Sequence, residues 1–224
     1  MSNPGPRMPV VALVSGRGSN LRAIAERARG GDPAIDIRAV VSDREDAGAI
    51  EWARSVSLNA ATLSPKSFPD RDRYDAALAA LVAGFEPRLV ILAGFMRILG
   101  PNFVDRFAGQ TLNIHPSLLP RHRGLHTHRR VLEAGERKHG ASVHFVTREL
   151  DGGPVVIQAR VPVRDDDDEA SLAARVLKQE HRIYPQAVGW FASGRLRFAD
   201  GAAWLDDKRL DSPVVIDPES DDAA

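Results

Sequence analysis

The chain has 224 residues and no cysteine, which excludes disulfides, thiolate zinc sites and a cysteine nucleophile together. Lysine plus arginine and aspartate plus glutamate balance at 30 each, so a broad nucleic-acid footprint is not expected. No apolar run approaches the roughly 18 residues of a membrane span, and the opening MSNPGPRMP lacks the apolar segment of a secretory signal.

Pro9 to Ser15, PVVALVS, reads as a buried strand. The turn Gly16-Arg17-Gly18-Ser19-Asn20 follows, and Leu21 to Arg29 has helical spacing with Leu21, Ile24, Ala25 and Ala28 on one face. Strand, glycine turn and helix together point the N–H groups of a helix N-terminus at an anion. The turn lacks the Gly-Lys-Ser/Thr of a P-loop and the third glycine of a dinucleotide fingerprint. Its plainer reading is a tight connection capped by Ser19 or Asn20.

Ile35 to Ser42 reads as a second strand, Ala47 to Ser55 as a helix, and Thr62 lies in a third, short strand. A helix over Tyr74 to Ala83 ends at Gly84, and Leu89 to Ala93 is a further strand followed by Gly94 to Leu99. This alternation predicts an α/β fold, a mostly parallel twisted sheet with helices on both faces and a Rossmann-like N-terminal half. Ligands of such sheets bind beyond the carboxyl ends of the strands.

Leu112 to Pro120, LNIHPSLLP, places Asn113 and His115 on one face if the segment is extended, and Pro116 and Pro120 end regular structure. An amide donor beside an imidazole can stabilise and protonate an oxyanion. The plainer reading is a turn with a surface histidine. Ser15–Asn20, Gly94–Leu99 and Asn113–His115 all fall at predicted strand ends, a convergence that isolated turns do not predict.

Arg121 to Arg130, RHRGLHTHRR, holds three histidines and four arginines. A metal site there is not expected, because the stretch has no carboxylate and no HExxH and its arginines repel a cation. A basic rim for an anionic substrate fits better, with a solvated loop as the plainer alternative. Val131 to Glu136 reads as the end of a helix, and Ala141 to Val146 pairs with Pro154 to Pro162 as an antiparallel hairpin in the C-terminal half. Between them, TRELDGG puts Asp151 where its carboxylate can reach inward, or is simply a hairpin turn. Asp165 to Asp168 cap a long helix from Glu169 to Trp190, which Pro185 should kink or end. One domain over 9–206 is expected, with a disordered lead at 1–8 and a flexible acidic tail at 207–224. A soluble cytoplasmic enzyme is the simplest class.

SGRGSNL at 15–21, LAGFMRIL at 92–99, NIHPSLLP at 113–120, GLHTH at 124–128, HGASVHFVTRELDGGPV at 139–155 and QEHRIYP at 179–185 resemble the folate-dependent glycinamide ribonucleotide (phosphoribosylglycinamide) formyltransferases of purine biosynthesis. The resemblance covers Val10 to Asp206, and it implies two small-molecule substrates, 10-formyltetrahydrofolate and 5'-phosphoribosylglycinamide. No metal, nucleic acid or membrane is implied, and the assembly is a monomer or homodimer. Asn113, His115 and Asp151 would be the catalytic set. Gly18, Ser19 and Asn20 would hold the ribonucleotide phosphate, with Glu180 contacting the glycinamide part. Arg71, Met96, Arg97, Ile98 and Leu99 would line the folate site together with Asn113, and the Thr147–Asp151 loop would close over the pterin. An Asp151 carboxylate near His115 would favour the imidazolium. His122 stands where the family usually has an aromatic residue, and Arg123 where close relatives have a small or cyclic one. Formyltetrahydrofolate deformylase, another formyl-folate enzyme and a non-catalytic folate- or nucleotide-binding module are the rival readings.

Overall fold

The computed structural model describes residues 7–217. Its N-terminal half runs β1 (Met8–Val14), α1 (Ser19–Arg29), β2 (Ile35–Ser42), α2 (Gly48–Ser55), β3 (Ala60–Thr62), α3 (Arg71–Ala83), β4 (Leu89–Leu92), α4 (Pro101–Arg106) and β5 (Thr111–His115). These five strands pair in parallel in the order β3-β2-β1-β4-β5. The chain works outward from β1 to β3 and then returns to β4 on the other side of β1. That reversal opens a crevice beyond the carboxyl ends of β1 and β4.

β1 reads as a continuous apolar run because both its faces are covered. Val10, Ala12 and Val14 pack in one cluster with Leu21 and Ile24 of α1 and Ile50 of α2. Val11 and Leu13 pack in another with Tyr74 and Leu78 of α3 and Phe103 of α4. The period of two thus divides one strand between two helical layers.

The second half adds α5 (Thr127–Glu133), β6 (Lys138–Phe145), β7 (Val155–Pro162) and α6 (Glu169–Ala192). β6 runs antiparallel to both β5 and β7, which places Asn113 opposite His144 and His115 opposite Ser142. Asp168 caps α6 by accepting from the Ser171 N–H at 2.7 Å, and the Ser171 hydroxyl faces back to the Asp168 N–H at 3.0 Å. The helix does not end at Pro185, as one reading of the sequence had it, but continues to Ala192. Proline removes the N–H that would bond the carbonyl of residue 181, at a cost of about 3 kcal/mol. Ile183, Tyr184, Ala187 and Val188 are fully buried around it, and burial of an Ile or Val side chain alone contributes about 1.5–3 kcal/mol. The Tyr184 hydroxyl lies 3.1 Å from the Leu92 carbonyl and 2.8 Å from that of Leu112, fastening α6 across the ends of β4 and β5.

β8 (Leu196–Ala199), β9 (Ala202–Leu205) and β10 (Lys208–Arg209) form a small antiparallel sheet, and β11 (Val214–Ile216) pairs in parallel with β7. The flexible tail expected from 207 is therefore corrected over the described residues. Val214 and Ile216 are β-branched, find the open edge of β7 and pack against the main core. Met8, the last residue of the expected lead, opens β1. The rest of the lead, 1–6, and of the tail, 218–224, lies outside the described residues. No helix among the described residues is long and apolar enough to cross a membrane.

Candidate active site

One end of the crevice is made of backbone. Gly18 is the N-cap of α1 at φ 73, and neither Ser19 nor Asn20 caps the helix. The first-turn N–H groups therefore have no side-chain partner from the cap. A Cβ on Gly18 would lie 2.6 Å from the Cβ of Ala49, so both the dihedral and the spacing require glycine. Asn20 turns its carboxamide to α6 instead, donating from Nδ2 to Glu180 Oε2 at 2.7 Å. Both side chains are buried, and Asn20 Oδ1 has no hydrogen-bond partner among the described residues. Burial pushes the Glu180 carboxyl above its ordinary range, against the opposing hydrogen bond from Asn20.

The other end is made of side chains. His144 donates from Nδ1 to the Phe145 carbonyl at 2.9 Å, which leaves Nε2 to face Asn113 and Asp151. Asn113 Nδ2 lies 3.1 Å from that Nε2, and its second N–H has no other partner among the described residues. His115 is buried and donates from Nε2 to the His122 carbonyl at 3.0 Å. Its Nδ1 stands 3.5 Å from Asp151 Oδ2, while Asp151 Oδ1 is 3.7 Å from His144 Nε2. The Gly124 N–H donates to Asp151 Oδ2 at 2.8 Å. Asp151 itself is left-handed at φ 48. A Cβ on Gly153 would lie 1.9 Å from the Phe145 carbonyl, so this close hairpin turn needs glycine there.

Burial works against the Asp151 carboxylate, but His144, the Gly124 N–H and the charge of His115 outweigh it and hold the group below its ordinary range. For His115 the balance goes the other way. Burial lowers its pKa more than the His122 carbonyl and Asp151 raise it, and His144 and Arg130 add to the lowering. Asp151 thus favours the His115 imidazolium, as expected, but burial outweighs it and holds the pKa below its ordinary value.

The predicted folate residues line two pockets, one of which borders this centre. The Ser15 N–H donates to the Gly94 carbonyl at 3.0 Å and the Met96 N–H to Ser15 Oγ at 2.9 Å, tying the ends of β1 and β4. Met96 and Ile98 are 69% and 55% exposed, apolar side chains left open at the pocket rim. Arg97 Nε donates to buried Asp43 at 2.7 Å. Arg71 donates to the Ile98 carbonyl at 2.8 Å and lies 3.5 Å from Asp75. Arg71 and Met96 line one pocket, and Leu99, Asn113, Thr147 and Asp151 line a second, with Arg97 and Ile98 common to both. The loop at 147–151 is pinned by paired bonds from Arg148 to Asp105 at 2.9 and 2.5 Å and by the Arg123–Glu149 ion pair.

The structure therefore brings Asn113, His115 and Asp151 together, Gly18, Ser19, Asn20 and Glu180 together, and Arg71 and Met96–Leu99 along two pockets that share Arg97 and Ile98. Sequence reasoning missed His144 and Ser142. Ser142 Oγ donates to the Ser117 carbonyl at 2.6 Å and accepts from Leu119 N at 3.1 Å and Gln158 Nε2 at 2.9 Å, locking the turn after His115. The available signal was the i, i+2 spacing of Ser142 and His144 in Ala141 to Val146, whose other residues are apolar. The basic rim is also corrected, because Arg121, Arg123 and Arg129 pair with Glu136, Glu149 and Glu169, and Arg130 donates to the Arg123 carbonyl. Of the nearby histidines, His128 and His139 meet at 3.0 Å, and burial pushes His139 down to about 3. Among the described residues no group of three His, Asp or Glu is placed to hold a metal ion.

The formyl transferase domain family matches residues 8–188. The phosphoribosylglycinamide formyltransferase of Escherichia coli is 51% identical over 203 residues, covering 91% of this chain and 96% of that protein. The enzyme of the same name from Haemophilus influenzae is 42% identical, covering 90% and 95%. A solved phosphoribosylglycinamide formyltransferase from Coxiella burnetii superposes with a TM-score of 0.90 at 43% identity, covering 94% of this chain and 99% of that one. On fold, site and these matches together, the chain belongs to the formyl transferase family.

Proposed function

We propose that the protein transfers the formyl group of 10-formyltetrahydrofolate to the amine of 5'-phosphoribosylglycinamide, giving the N-formyl product and tetrahydrofolate in purine biosynthesis. The observation that carries this reading is the placement of Asp151 between His115 and His144, beside the free N–H of Asn113. The ribonucleotide phosphate binds the open N–H groups of α1 at Gly18, Ser19 and Asn20, and Glu180 contacts the same substrate. The folate lies along Arg71 and Met96–Leu99, under Thr147 and the loop that ends at Asp151.

The neutral amine attacks the formyl carbon. A carbon–nitrogen bond forms and the carbonyl oxygen becomes an oxyanion, which the free Asn113 N–H meets. The attacking nitrogen loses a proton to the Nδ1 side of His115, where the Asp151 carboxylate stabilises the new imidazolium. The charge developing on the oxyanion raises the proton affinity of a ring that burial otherwise keeps neutral. That proton then passes to the leaving folate nitrogen as its bond to the formyl carbon breaks and the carbonyl reforms. His115 returns to its neutral state, and no bond to the protein is made. The proposed setting is the cytoplasm, with the protein acting on small molecules and not on nucleic acid, as a monomer or homodimer.

The test is tetrahydrofolate formation with and without the ribonucleotide. Release that depends on the ribonucleotide and is matched by N-formyl product is expected. Equal release without it would mean water is the acceptor and the protein a deformylase. Bound folate with no release would mean a binding module.

A further inference from the structure

The loop between β5 and α5 presents one fixed carbonyl to His115. That carbonyl belongs to His122, which sits at φ 53 in the left-handed region that side chains other than glycine rarely adopt. The loop is held there at three successive residues. Ser117 Oγ donates to the Arg121 carbonyl at 2.7 Å, and Arg130 Nη1 donates to the Arg123 carbonyl at 2.7 Å. Between them, the His122 ring donates from Nε2 to Glu136 Oε1 at 2.8 Å. Glu136 follows α5, and its own N–H donates to the Val131 carbonyl at 3.2 Å. Its carboxylate also takes a hydrogen bond from Arg121 at 2.6 Å. The side chains of His122 and Glu136 are 13% and 15% exposed.

We propose that Glu136 and His122 are positioning residues for His115: the carboxylate holds the His122 ring and so aims the His122 carbonyl at Nε2 of His115. A carbonyl only accepts, so a neutral His115 carries its single proton on Nε2 and keeps a lone pair on Nδ1. That lone pair, 3.5 Å from Asp151 Oδ2, is the atom that receives the proton of the attacking amine. Without the carbonyl, the favoured neutral tautomer places the proton on Nδ1, donated to Asp151, where it blocks that transfer. A catalytic histidine held in the wrong tautomer loses most of its activity although its position is unchanged. Among the described residues, the charged and titratable groups near His115 are Asp151, His144, Arg130, His128 and His139, and those near His122 are Glu136, Arg121 and His139.

The kinetic consequence rests on the formyl-transfer reading, whereas the tautomer does not, and the experiment separates the two. Long-range proton–nitrogen NMR of the ligand-free protein should show His115 as the Nε2–H tautomer. In Glu136→Ala a substantial Nδ1–H population should appear, and turnover should fall about ten-fold, with each KM within about two-fold of the parent. Glu136→Gln, which keeps an oxygen acceptor, should restore the tautomer and most of the turnover. His122→Phe, which keeps the carbonyl but loses its anchor, should reproduce Glu136→Ala, and the double variant should be no worse than either single one. An unchanged tautomer and turnover in Glu136→Ala, equal damage in Glu136→Gln, or additive losses in the double variant would each overturn the proposal. If Glu136→Ala does not fold, His122→Phe carries the same two readouts. A parent protein that transfers no formyl group would overturn the functional reading alone, leaving the NMR result to decide this one.

Discussion

The two ends of the crevice solve different problems with different parts of the chain. At α1 the anion site is main chain, and its one strict requirement is a glycine at φ 73 pressed against Ala49. At β5 and β6 the reacting centre is side chain, with Asn113, His115, His144 and Asp151 set against one another and against the Phe145 and His122 carbonyls. A backbone site asks for room and direction. A side-chain site asks for protonation states. Changes at the first end should therefore alter affinity, and changes at the second should alter turnover.

The sharpest test of that contrast is Asp151→Asn. It keeps the shape of the side chain and removes the charge that stabilises the His115 imidazolium, so turnover should fall by about 10²–10⁴-fold. The fold and both KM values should change little, and near-parental turnover in a steady-state assay would remove Asp151 from the mechanism. Asn113→Ala comes next, with an expected loss of about 10²–10³ in turnover from one missing oxyanion donor. A change in KM alone would make Asn113 a ground-state contact and break the contrast.

At the opposite end, Gly18→Ala forces a Cβ to 2.6 Å from Ala49 in a left-handed backbone. Denaturant unfolding should report a loss of about 1–3 kcal/mol, and the KM for the ribonucleotide should rise while that for folate holds. An equal rise in both would mean that the turn supports the whole crevice and not the phosphate alone.

The smallest effect is on stability against pH. His115, His128, His139 and His181 all have pKa values lowered chiefly by burial, His139 to about 3. Unfolded, these rings bind protons near 6.5, so below that pH the unfolded chain binds more protons than the fold. Stability should hold above about pH 6.5 and decline progressively toward about pH 3. In the carboxylate range Asp75 and Glu180, raised by burial, soften the decline, whereas Asp151, Asp167 and Asp168, held low in the fold, deepen it. Melting temperatures across that window would show the slope, and a flat profile would mean that these histidines are hydrated in the fold.

The same contrast explains what was legible in the sequence. The parallel strands were plain because burial on both faces leaves runs such as VVALV and AVVS with little polar interruption. Asn113 and His115 could be paired because a strand's period of two relates neighbours two apart, and the prolines mark its end. His144 could not, since its contact with Asn113 spans 31 positions and depends on the β5–β6 register. The Glu136–His122 contact spans 14 and depends on how the loop folds back on α5. β11 was unreadable because three apolar residues among prolines and aspartates become a strand only beside an open edge. The protonation of His115 needed its burial as well as its neighbours.

The most direct test of the central claim is a rapid-quench single turnover with carbon-labelled formyl-tetrahydrofolate and the ribonucleotide. Direct transfer predicts that label leaves the folate and appears on the ribonucleotide amine at the same rate, with none attached to the protein and none as formate. Label on the protein before product, or formate formed ahead of it, would contradict direct transfer at Asn113, His115 and Asp151.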